Sequence, residues 1–115
     1  MDVNLLDLVP EQKLNFEESG NGLVTLLKPK FKNKFLVKYL RPRIKKPNYK
    51  VKLDQFGSFV WKKCNGKNTV AQIGDLLKQE FKDDIDPVYD RLAFFIQSLA
   101  RHQFIEYKNY GTNNR

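Results

Sequence analysis

Hydrophobic positions before Asp54 follow a two-residue period interrupted by one helical stripe, and those after it follow a helical period. Leu5, Leu6, Leu8 and Val9 form a short apolar cluster ending at Pro10, the pattern of a turn packed on the body. From Lys13 to Glu18, Leu14 and Phe16 alternate with polar neighbours, as in a half-buried strand. Ser19-Gly20-Asn21-Gly22 is turn chemistry, because Gly and Asn accept positive φ cheaply. Leu23 to Leu27 follows as a second strand, so residues 13–28 read as a β-hairpin closed by Pro29. Phe31, Phe35, Leu36, Tyr39 and Leu40 then form one stripe of a short helix that Pro42 ends, although FLVKYL fits a strand equally. Pro47 keeps the next residues extended. In the third strand, Tyr49, Val51 and Leu53 lie on one face and Lys50 and Lys52 on the other.

Three helices follow. Asp54 is the expected N-cap of the first, whose buried side is Phe56, Gly57, Val60, Trp61 and Cys64. Asn65-Gly66 ends it with a left-handed residue. Asn68 or Thr69 caps the second, with Val70, Ile73, Leu76, Leu77 and Phe81 on one face. Asp86-Pro87 reads as the N-cap and first-turn pair of the third. Its apolar face is Val88, Leu92, Phe95, Ile96 and Leu99, with Phe94 off the stripe. Phe104 to Tyr107 adds a last short strand. The predicted fold class is α+β: a small three-stranded antiparallel sheet followed by a three-helix bundle, winged-helix-like in outline.

At 115 residues the chain is expected to form a single domain, with a core over about 13–107, a basic insertion over about 28–48 and a disordered tail over about 109–115. A hydrophobic content of 41% is enough for a small packed core. The net charge of +8 is concentrated in one place. Between Lys28 and Lys52 stand eleven basic residues and no acid, whereas the remainder carries 10 basic against 13 acidic groups. Lys30, Lys32, Lys34, Lys38, Arg41, Arg43, Lys45 and Lys46 form the candidate basic patch. Such a block is either a handle for an acidic partner or a solvated connector. The N-terminus MDVNLLDLVPEQ has no charged n-region, and no apolar run reaches the roughly 18 residues of a membrane span. The expected compartment is the cytoplasm.

Catalytic constellations are hard to assemble from these residues. His102 is the only histidine and falls near the end of the third helix, where a cation favours the helix dipole. Cys64 reads as a small apolar filler, and one cysteine makes neither an intramolecular disulfide nor a zinc cluster. Lys67 follows Gly66, but NGKNT lacks the glycine spacing of a phosphate loop. Asp83, Asp84 and Asp86 fit capping and turn roles better than a calcium loop. The expectation is therefore no enzyme, no cofactor and no metal.

The stretch VKLDQFGSFVWKKCNGKNTVAQIGDLL, with the Pro-started helix and FI beyond it, resembles the pyrroloquinoline quinone biosynthesis protein D (PqqD) family. The family's pattern falls on Leu53-Asp54, Gly57, Val60-Trp61, Asn65-Gly66, Thr69-Val70 and Ile73, and the hairpin LNFEESGNGLVTLLKP has the family's shape. The likeness covers about residues 13–105. Asn65 stands where the family usually has Asp, and the link holding the basic block is longer than in compact members. The resemblance implies a non-catalytic module that binds the leader of a ribosomally made precursor peptide. It also implies presentation of that peptide to a modifying enzyme, by analogy a radical S-adenosylmethionine enzyme. Carried over by position, the peptide would add as a strand along Tyr49, Lys50, Val51, Lys52 and Leu53, against a wall of Arg91, Phe94, Phe95 and Ser98. Lys50, Lys52 and Arg91 would suit an acidic or amphipathic peptide. Phe94 reads either as an apolar contact or as ordinary core packing, and Arg91 either as a peptide contact or as half of a surface ion pair.

Two other partner classes remain open at this level. A winged-helix-like protein with a basic segment is a candidate nucleic-acid binder, although the third helix carries Asp90 and few basic residues. Phe31 to Ile44, basic and aromatic, is a candidate contact for an anionic membrane or a protein. The long link before the third strand is compatible with a monomer or a strand-exchanged dimer.

Overall fold

The computed structural model describes residues 4–29 and 48–109. The basic patch and the helix expected over Phe31 to Leu40 lie outside the described residues. The hairpin expected from the SGNG turn forms: strand β2 (Asn15–Glu18) pairs antiparallel with β3 (Val24–Pro29), and Gly22 takes the positive φ of 85° that the turn needs. Strand β4 (Asn48–Lys52) adds antiparallel to the other side of β3, giving the order β2-β3-β4. Phe16, Leu26 and Val51 line up across the three strands, so one residue of each faces the core. β3 runs two residues past the predicted end at Leu27. Pro29 is tolerated there because it lies opposite Asn48 in a pair that exchanges no hydrogen bond.

The three expected helices follow as α1 (Gln55–Lys63), α2 (Val70–Phe81) and α3 (Val88–Arg101). Asp54 caps α1, its Oδ1 accepting the Gly57 N–H at 2.8 Å. Asp54→Ala is expected to lower stability by about 1 kcal/mol without changing the fold, as read from the urea midpoint. Thr69, and not Asn68, caps α2, in a reciprocal box with Gln72. Gly66 turns the chain between these helices with φ of 80°. A Cβ there would stand 3.0 Å from a Glu11 carboxylate oxygen.

One predicted cap is corrected. Asp86 does not cap α3: it closes a 3-10 turn over Lys82–Ile85, its N–H bonding the Asp83 carbonyl, and Pro87 takes the N-cap place with no side-chain bond. The N-terminal apolar cluster is likewise a 3-10 turn, Leu5–Asp7, with Leu8 buried after it. A strand that no pattern announced, β1 (Pro10–Gln12), pairs antiparallel with β5 (Ile105–Tyr107). Three residues are too few to display a period.

The core lies between the inner face of β2-β3-β4 and the three helices. Val24, Leu26, Val60, Trp61, Ile73, Leu77, Leu92 and Ile96 are its fully buried centre. Ser58 is the buried polar residue that joins α1 to the sheet. Its hydroxyl accepts the Val24 N–H at 2.8 Å and donates to the Leu53 carbonyl at 3.3 Å. This clamp fixes where β4 ends and α1 begins.

Candidate functional site

Among the described residues, β4 is an edge strand, paired only with β3. Which of its backbone groups are free follows from one bond. The Leu53 N–H donates to the Val24 carbonyl at 2.9 Å, which makes Leu53 and Val24 a hydrogen-bonded pair. In an antiparallel ladder such pairs alternate, so Val51 pairs with Leu26 through hydrogen bonds and Tyr49 with Lys28. Lys50 and Lys52 fall between them. Their N–H and C=O groups therefore point away from β3, toward the open edge.

The side chains alternate with the same period. Val51 is half-buried against the core, whereas Lys50 and Lys52 are exposed on the outer face, opposite Leu27 and Thr25. On that outer face Glu17 of β2 reaches across β3 to the Lys50 Nζ at 3.8 Å, both groups remaining well exposed. Lys52 has no carboxylate within ion-pair distance among the described residues.

Beyond the Leu53 end of β4 lies the α3 wall. A Cβ on Gly57 would stand 3.1 Å from the Phe95 ring and 3.4 Å from the Leu53 Cβ, so the missing side chain lets Phe95 pack down beside the end of the strand. Phe95 meets Phe56 edge-to-face at 5.7 Å, and the Arg91 guanidinium lies 5.0 Å over the Phe56 ring. With Asp90 and Phe94 these residues line an open cleft of about 370 Å³. Phe94 is 72% exposed, which excludes the core-packing alternative for it. Arg91 makes no ion pair among the described residues; its Nη1 reaches only the Asp84 carbonyl, at 3.5 Å.

The structure brings Arg91, Phe94 and Phe95 together along one cleft. Ser98 lies one turn further along α3, where its Oγ accepts from Arg101 at 3.3 Å, and it does not line the cleft. Tyr49 sits opposite Lys28 in the register. Phe56 and Asp90, which lie outside the predicted site, complete the cleft. Its periodicity puts Phe56 on the buried face of α1, and its spacing four residues before Val60 gives no sign that it also borders a surface.

A larger hollow of about 690 Å³ opens beside Gln12, Lys13, Leu14, Asn15, Phe16 and Glu106. It is polar, and the Lys13–Glu106 ion pair at 3.5 Å spans part of it. The cleft on α3 differs in its apolar, exposed aromatic lining, and its Phe95 packs beside Gly57 near the Leu53 end of β4.

Cys64 and His102 have structural surroundings. Burial pushes the Cys64 thiol up to about 12, so it stays protonated and unreactive at neutral pH. His102 is the C-cap of α3 and packs its ring 5.5 Å from Phe104. Among the described residues no three His, Cys, Asp or Glu side chains converge as a metal site. No helix among them is long and apolar enough to cross a membrane.

A family model described as Coenzyme PQQ synthesis protein D (PqqD) matches residues 44–105, more than half of the 115-residue chain. The match takes in β4, all three helices and the start of β5. No curated protein and no solved structure matches the chain.

Proposed function

The chain belongs to the coenzyme PQQ synthesis protein D family, and we propose that it binds the leader of a ribosomally made precursor peptide by strand addition to β4 and presents it to a modifying enzyme. Membership supports a general peptide-binding role in the biosynthesis of PQQ or related modified peptides, in a non-catalytic, accessory capacity. The observation that carries the finer reading is a strand edge, unpaired among the described residues, that ends where the wall of α3 packs. The outward N–H and C=O groups of Lys50 and Lys52 offer the ladder an extended peptide needs, and the Phe56, Phe94 and Phe95 cleft, whose Phe95 packs beside Gly57 near the Leu53 end of the strand, offers apolar surface. Ladder bonds supply affinity that is independent of sequence, while the cleft reads side chains. The enzyme partner, by family analogy a radical S-adenosylmethionine enzyme, gains from the raised local concentration of its substrate. The setting is the cytoplasm.

The test is a ¹⁵N-HSQC titration of the full chain with candidate leader peptides. Saturable shifts are expected over residues 48–53 and 91–95. Shifts confined to residues 15–18, or no shift with any leader, overturn the reading. Phe94→Ala is expected to raise the peptide Kd about tenfold, the cost of losing an interfacial aromatic. Because Phe94 is 72% exposed, the urea midpoint of the same variant is expected to stay unchanged.

A further inference from the structure

We infer that the peptide taken by this edge carries carboxylates on alternate residues with a large apolar residue between them, an inference that rests on the strand-addition reading above. An extended strand sends successive side chains to opposite faces. The cations of the site are divided between those faces. Lys50 and Lys52 stand on the outer face of the sheet, whereas Arg91, Phe94 and Phe95 belong to α3, on the core side where Val51 points. A single acidic residue therefore cannot meet both sets, and a run of adjacent acids would waste every second one.

The two sides also differ in what they lack. On the outer face Lys50 already has Glu17 at 3.8 Å, while Lys52 has no carboxylate partner among the described residues. The residue of an added strand directly opposite Lys52 would bring its Cβ to within about 5 Å of the lysine's, the distance at which opposite charges stabilise a pair. On the core side, Asp90 stands at the rim of the cleft next to Arg91, so an inward carboxylate meets a like charge as well as a cation. The rest of that cleft is aromatic, and Arg91 is stacked on Phe56. Large apolar residues suit the inward positions and acids the outward ones.

Three synthetic peptides in a common Ser/Thr background test this by fluorescence anisotropy with the full chain. The first holds alternating Glu and Leu, the second the same residues as a Glu block followed by a Leu block, and the third alternating Lys and Leu. A one-residue slip restores the phase of any alternating peptide, so the blocked peptide is the control for pattern. The alternating acidic peptide is expected to bind about fivefold tighter than the blocked one, and added salt should narrow the gap. Lys52→Glu should weaken the acidic peptide about fivefold and strengthen its Lys counterpart. Lys52 is exposed, so the variant folds. Equal binding of alternating and blocked peptides, indifference to Lys52→Glu, or no binding of the alternating acidic peptide overturns the inference. Strand addition itself survives the first two results if amide shifts still appear over residues 48–52, and falls if they do not.

Discussion

Trp61→Ala is expected to remove about 3–5 kcal/mol of stability, against the 5–15 kcal/mol typical of a whole domain. Trp61 is fully buried between α1 and the sheet, and meets Phe16 edge-to-face at 5.9 Å. Its carbonyl accepts the Gln12 side-chain amide at 2.7 Å, which brings β1 onto the same residue. Truncation therefore opens a cavity where three elements converge, and few backbone shifts can fill it. The indole is the only tryptophan of the chain, so unfolding has to be followed by far-UV circular dichroism and not by fluorescence. Trp61→Phe separates packing from hydrogen bonding. The buried indole N–H has no partner among the described residues, so the ring exchange forfeits volume alone and should cost much less, about 1–2 kcal/mol. Equal losses for the two variants would mean that the N–H is satisfied outside the described residues. A loss below about 1 kcal/mol for Trp61→Ala would contradict the core as placed.

Such a core was legible in the sequence because its signals are local and mutually consistent. Asp54 caps a helix whose apolar residues recur at helical spacing, Thr69 and Gln72 form a capping box, and SGNG can only turn. What escaped was non-local or already committed elsewhere. β1 is three residues long and pairs with a strand at the far end of the chain, so no period and no neighbour announces it. Asp86 carries the sequence mark of an N-cap, but its backbone is engaged in closing the preceding 3-10 turn. Phe94 was readable in principle: it falls off the stripe of Leu92, Phe95, Ile96 and Leu99, and helix geometry turns it to the surface. The site was half legible. Alternation separates Val51 from Lys50 and Lys52, yet which backbone groups of β4 are free depends on the register with β3. No local pattern states that register.

That register sets up the sharpest test of the edge. Lys50→Pro removes an N–H that points away from β3, so the β3–β4 ladder keeps its bonds and the fold should persist. The same change leaves a carbonyl of the incoming peptide without its donor, at a cost of about 1–3 kcal/mol, or roughly five- to hundredfold in Kd. Val51→Pro, one residue away, does the reverse. It strips the N–H given to Leu26, orphans a buried carbonyl and should destabilise the protein itself, lowering the urea midpoint before any peptide is added. Glu18→Pro supplies the control for the opposite edge of the sheet. The Ser19 N–H bonds the Leu23 carbonyl at 2.9 Å, so by the same alternation the Glu18 N–H faces outward from β2. Peptide affinity lost in Lys50→Pro and kept in Glu18→Pro assigns the peptide to β4. The opposite result would move it to β2, where Glu17 and Glu18 would favour a basic ligand and where neither the aromatic cleft nor α3 could read it.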